Sequence, residues 1–159
     1  MIDACMEYFN ITEYESVGNM ESVLRTHYNN NEKAFGMYCG GGKWTLLILR
    51  SPDTMARLLP GLSKASQGLD VTVLHTLILE NLMGIDAENM ANQINLSYVK
   101  QFDDAVRAVD EGNANCAFIL NPTKISEICD VSSAGEKMPQ KSTYFYPKLI
   151  TGLVINRLD

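Results

Sequence analysis

The sequence predicts an α+β fold: a mixed, partly antiparallel sheet with helices packed on it. Three observations carry this. Gly40-Gly41-Gly42-Lys43 separates Ala34 to Cys39 from Trp44 to Arg50, two stretches rich in aromatic and branched residues. Glycines that tolerate positive φ between two such stretches mark a β-hairpin, and so antiparallel pairing. Asp70 to Met83 repeats apolar residues at helical spacing, as a buried helix does. Ile94 to Val99 and Cys116 to Leu120 read as strands around a helical stretch, an order that permits a right-handed parallel crossover. Helices on such a sheet make the α+β class. At 159 residues the chain fits a single domain.

Taken in order, residues 1–9 read as the end of a helix, with Ala4, Cys5, Tyr8 and Phe9 on one face. Ile11 to Val17 alternates loosely and reads as a short strand. Asn19 is a suitable N-cap for a helix carrying Met20, Val23, Leu24 and His27 on one side; the run Asn29-Asn30-Asn31 ends it. In the hairpin, Trp44 is expected to anchor the core. The triple glycine is no phosphate loop, because G-x-x-x-x-G-K-[ST] is absent and a strand follows rather than a helix. Asp53 to Leu59 forms a short helix stopped by Pro60-Gly61, and residues 62–69 read as loop.

Asp70 is expected to cap the long helix. Val71, Leu74, Ile78 and Leu82 form its face, Val73 and Leu77 thicken it, and Gly84 suits its C′ position. Ile85 to Gln93 is a further short helical stretch. After the strand at 94–99, Phe102, Ala105, Val106 and Val109 make a helix face, with Asp103 and Arg107 paired at i,i+4. The unbroken apolar run Cys116 to Leu120 is expected to be a central strand covered on both faces. Asn121-Pro122 supplies a cap and a first-turn proline for the next helix, whose inward residues are Ile125, Ile128 and Cys129. A strand from Leu149 to Leu158 closes the chain.

Composition narrows the function classes. Hydrophobic residues at 46% and charged residues at 20% suit an ordinary globular domain. A net charge of −6 argues against nucleic-acid or anionic-membrane binding, which need a basic face. No apolar run approaches the ~18 residues of a membrane span. The first residues show no basic and then apolar leader pattern. Cys5, Cys39, Cys116 and Cys129 contain no C-x-x-C pair, so no zinc site is expected, and reduced, mostly buried cysteines of a cytoplasmic protein are.

One stretch looks chosen for more than folding: Glu136-Lys137-Met138-Pro139-Gln140-Lys141-Ser142-Thr143-Tyr144-Phe145-Tyr146-Pro147-Lys148. Residues 137–148 hold three lysines and no acid, which leaves −9 for the rest of the chain. Pro139 and Pro147 stiffen the stretch and push Met138 and Tyr146 toward extended geometry. Ammonium groups and hydroxyls on a stiff loop suit phosphate or carboxylate. The candidate ligand-binding residues are therefore Lys137, Lys141, Ser142, Thr143, Tyr144, Tyr146 and Lys148. The competing reading is a covering loop, with the tyrosine rings packed and the lysines solvated. His75, at the edge of a buried helix face, is either a general acid/base or a structural histidine bonded to a neighbouring loop. No carboxylate stands at 71, 72, 78 or 79 to serve it. His27 reads as a surface residue.

The residues from Asn113 to Thr123, the 135–148 stretch and Gly152-Leu153-Val154-Ile155 resemble the end of the bacterial and archaeal family catalogued as domain of unknown function 1015. Leu69 to His75 with Leu79-Glu80 is similar to its middle helix. The likeness runs from about residue 69 to the end. It implies a longer protein whose N-terminal part carries an Asp-Gly-His-His-Arg stretch, similar to that of ParB-like nucleotide-binding proteins; this chain has no such stretch. The resemblance thus implies a C-terminal portion partnered by its own N-terminal domain, and brings no reaction or cofactor with it. Two functions stay open: a non-catalytic binding or assembly module, self-association included, and the accessory half of an enzyme acting on a nucleotide or phosphate ligand.

Overall fold

The structure, a computed structural model, describes residues 2–15 and 20–143. The element order is α1 (Ile2–Cys5), β1 (Phe9–Tyr14), α2 (Met20–Asn29), β2 (Ala34–Tyr38), β3 (Trp44–Leu49), α3 (Asp53–Leu58), α4 (Lys64–Gln67), α5 (Asp70–Val73), a π-helix (Leu74–Leu82) continuous with α5, α6 (Ala87–Asn92), α7 (Phe102–Asp110), β4 (Ala117–Ile119) and α8 (Ile125–Ser133). The fold is α+β. No helix among the described residues is long and apolar enough to cross a membrane.

The four strands stand in the order β1-β3-β2-β4, and every described pairing is antiparallel. The hairpin forms as expected, with Tyr38 opposite Trp44 and Gly40, Gly41 and Gly42 all at positive φ. The strand expected at 94–99 does not form, so the parallel crossover it would have allowed is absent. Its backbone is committed to α6 instead: Ile94 N donates to Asn89 O at 3.2 Å and Asn95 N to Asn89 Oδ1 at 3.0 Å. The run expected to be a central strand shortens to three residues and lies last in the described sheet. The expected strand at 149–158 and the Asn19 cap fall outside the described residues.

Both faces of the sheet are covered, which explains why all five residues of β2 are buried. Phe9, Phe35, Met37 and Leu47 point to one side, where they meet Cys5, Met55, Val73, Leu74, Leu77 and Ile78. Ala34, Tyr38, Trp44 and Leu46 point to the other, against Met20, Leu24 and Val109. Trp44 is the anchor expected of it. Its ring stacks between Tyr38 and Phe102, with centroids at 4.9 and 5.1 Å.

Several local expectations are corrected. β1 begins at Phe9, so residue 9 is strand rather than helix. Residues 64–67 are helical, because Ser63 is an effective N-cap whose hydroxyl accepts from Ser66 N. Asp70 caps nothing; its carboxylate turns to Lys33 Nζ at 2.8 Å, and Lys33 also reaches Glu127 Oε1 at 3.4 Å. Arg107 pairs with Asp104 at i,i+3, not with Asp103. α8 starts three residues after Pro122, with Lys124 at its N-cap and Glu127 accepting from Lys124 N. Val131 is its buried residue, while Ile125 and Cys129 are exposed. Cys39 is exposed too and Cys116 is half-buried, so Cys5 is the one buried thiol of the four. His27 is half-buried, its Nδ1 2.7 Å from Glu32 Oε2.

Candidate functional site

The site is assembled where α8 ends. Gly135 takes φ +74°, which only glycine adopts at little cost. Gly135 N then donates to Ser132 O and Glu136 N to Val131 O, the bond pattern of a Schellman cap. This reversal carries Glu136 to the start of α4. Its Oε1 accepts from Ser63 N at 2.7 Å, and its Oε2 accepts from Ser63 Oγ at 2.7 Å and from Ser66 Oγ. Hydrogen bonds from Ser66, then from Ser63, hold the Glu136 carboxyl below its ordinary pKa, because they favour the charged form.

Beside this latch lies a cleft of about 470 Å³, a size that suits a small ligand. Leu59, Leu62 and Pro139 form apolar walls; Thr72, His75 and Thr76 line it from α5 and the π-helix; Ser66, Glu136 and Lys137 close it. Thr72, His75 and Thr76 are spaced i, i+3 and i+4, so one helix face brings them together. Burial depresses the His75 pKa, so its ring is neutral at pH 7. Among the described residues it has no hydrogen-bond partner. The Thr72 hydroxyl is enclosed and has no hydrogen-bond partner among the described residues.

The candidate residues divide. His75 and Lys137, from opposite halves of the chain, meet in the cleft. Lys141, Ser142 and Thr143 do not line it. Residues 139–142 make a turn, not the extended segment expected: Ser142 N and Oγ both donate to Pro139 O, and Lys141 takes φ +59°. Thr123 Oγ1 donates to Ser142 O at 2.8 Å. Ser142 is thus spent on holding the loop. Tyr144, Tyr146 and Lys148 lie outside the described residues. Sequence reasoning missed Ser63, Ser66, Thr72 and Thr76. Ser63 carried a usable signal, a serine ahead of a short run of helix formers. Among the described residues no group of three or more His, Cys, Asp or Glu could hold a metal ion. No protein family, curated protein or solved structure matches the chain.

The latch has a pH signature. Because the folded-state pKa of Glu136 is depressed, its contribution to stability is present above the ordinary value of 4.5 and fades as pH falls through the folded value. Urea midpoints measured from pH 6 down to pH 3 should therefore fall more steeply for the wild type than for Glu136→Gln. Parallel curves would show that the latch adds no stability.

Proposed function

We propose that this chain is a non-catalytic binding module whose cleft takes a small organic acid with an apolar body. The observation that carries the reading is the meeting of His75 and Lys137 in one cleft with apolar walls. Leu59, Leu62 and Pro139 suit hydrocarbon, whose transfer from water favours binding. Lys137 is exposed and its ammonium has no partner among the described residues, so a carboxylate would gain a charge-assisted hydrogen bond there. Glu136, nearby, already accepts three hydrogen bonds from the two serines. The neutral imidazole and the Thr76 hydroxyl add directional partners.

A second reading keeps the 137–148 stretch as an anion site of a phosphate-ligand enzyme. It is favoured by Lys141, which is exposed and has no partner among the described residues.

An amide NMR titration separates the two. With hexanoate, shifts are expected at 59–76 and 136–139, and Lys137→Ala should weaken them while leaving the remaining spectrum in place. With inorganic phosphate, shifts confined to 141–148 would favour the second reading. If millimolar hexanoate moves no cleft resonance, the organic-acid reading fails.

A further inference from the structure

We propose that Cys39 and Cys116 form a cross-strand dithiol that closes to a disulfide at the end of the sheet when oxidised by a small disulfide such as glutathione disulfide. β2 and β4 pair with Gly36 opposite Ile119, Met37 opposite Phe118 and Tyr38 opposite Ala117. The ladder ends at that last pair, and one further step along the same register would set Cys39 opposite Cys116. Opposed residues of an antiparallel pair have Cα atoms about 4.5 or 5.5 Å apart, and a disulfide spans Cα separations of about 4.4–6.8 Å. Side chains alternate along a strand. Cys39 therefore shares a face with Met37, and Cys116 with Phe118, and both of those residues pack into the same core.

The Cys39 sulfur raises the thiol pKa of Cys116 and of Cys5 alike, so the strand register is what singles out Cys116. Burial first, and the Cys39 sulfur second, push the Cys116 thiol up to about 11. The strand end is also braced, so the pair is held in place. Tyr38 OH donates to Asp110 Oδ1 at 2.6 Å, and Gly42 N donates to Tyr38 OH at 3.2 Å.

Cys39 is exposed and Cys116 half-buried, which assigns the order of steps. Cys39 loses its proton to solvent, and its thiolate attacks one sulfur of glutathione disulfide, expelling one glutathione thiolate. Cys116 then loses its proton, attacks the Cys39 sulfur of the mixed disulfide and expels the second glutathione. Two protein thiols are oxidised and one glutathione disulfide is reduced to two glutathiones. Burial raises the pKa of both thiols, so closure should quicken as pH rises, since the thiolate is the attacking form.

The test uses the full chain carrying Cys129→Ser, equilibrated with glutathione disulfide, quenched with an alkylating agent and mapped by non-reducing peptide mass spectrometry. The expected product is a monomer with a Cys39–Cys116 link, no bound glutathione and a higher urea midpoint that reductant reverses. Adding Cys116→Ser should stop the reaction at a glutathione adduct on Cys39. A lasting adduct on Cys39 without that substitution, a link through Cys5, or a link between chains would overturn the proposal.

Discussion

Replacing Trp44 by alanine is expected to cost about 3–5 kcal/mol, the usual loss for a large buried aromatic. The ring is fully buried and stacked on both sides, by Tyr38 and by Phe102. Its removal would open a void between β3 and α7 that neither neighbour can fill without leaving its own contacts. In a domain of this size such a loss lowers the melting temperature by roughly 10 °C. Trp44→Phe should cost much less. It keeps a ring in the stack and removes Nε1, a buried donor with no partner among the described residues, whose burial is itself unfavourable. Urea unfolding of the two variants measures the difference. Equal losses would mean that a smaller ring in the stack recovers nothing and that the whole indole is needed.

Lys33→Met should also be damaging, at about 2–3 kcal/mol, somewhat below the cost for a fully buried pair, because removing one partner of a half-buried ion pair strands the other charge. Lys33 stands between Asp70 and Glu127, with side chains 23%, 12% and 23% exposed. Burial opposes its charge, but the two carboxylates outweigh it and raise its pKa. Asp70 is pushed the unfavourable way, upward, chiefly by burial and also by Glu127. The two directions are compatible, since one ammonium is shared by two carboxylates. Without Lys33 the Asp70 pKa should rise further. A raised carboxyl pKa contributes stability at low pH that is lost as pH rises, so the gap between variant and wild type should narrow on acidification. Lys33→Met combined with Asp70→Leu should recover much of the loss. A gap that widens as pH falls would count against a stranded Asp70 charge.

The parts of this fold readable in the sequence are those decided by local chemistry. Three glycines between two apolar stretches can do little but turn, and Trp44 beside them can do little but bury. What was not readable was decided by neighbours. Ile94 to Val99 has strand-like residues, but strand preference depends on a pairing partner. Here Asn89 captures the backbone first, and Leu96 packs on Leu79, Ile85 and Met90. Asp70 looked like a cap because the sequence does not show that Lys33 lies beside it. The cleft was half legible: His75 and Lys137 each stood out, but their meeting depends on the turn at Gly135 and on the short helix that Ser63 begins.

The widened helix from Leu74 to Leu82 makes this segment intolerant of any change in length. Met83 N donates to Ile78 O, five residues back, so one more residue is accommodated per turn than ordinary α-bonding would hold. Leu74, Leu77 and Ile78 thereby seat in the core against the sheet while Leu79 seats in a separate cluster with Ile85 and Met90. Deleting a single residue while the wide bonding persists would rotate everything downstream around the axis. Leu79 would lose its cluster, and α6 would lose its footing. Homologous chains should therefore vary freely in sequence along this helix before they vary in its residue count.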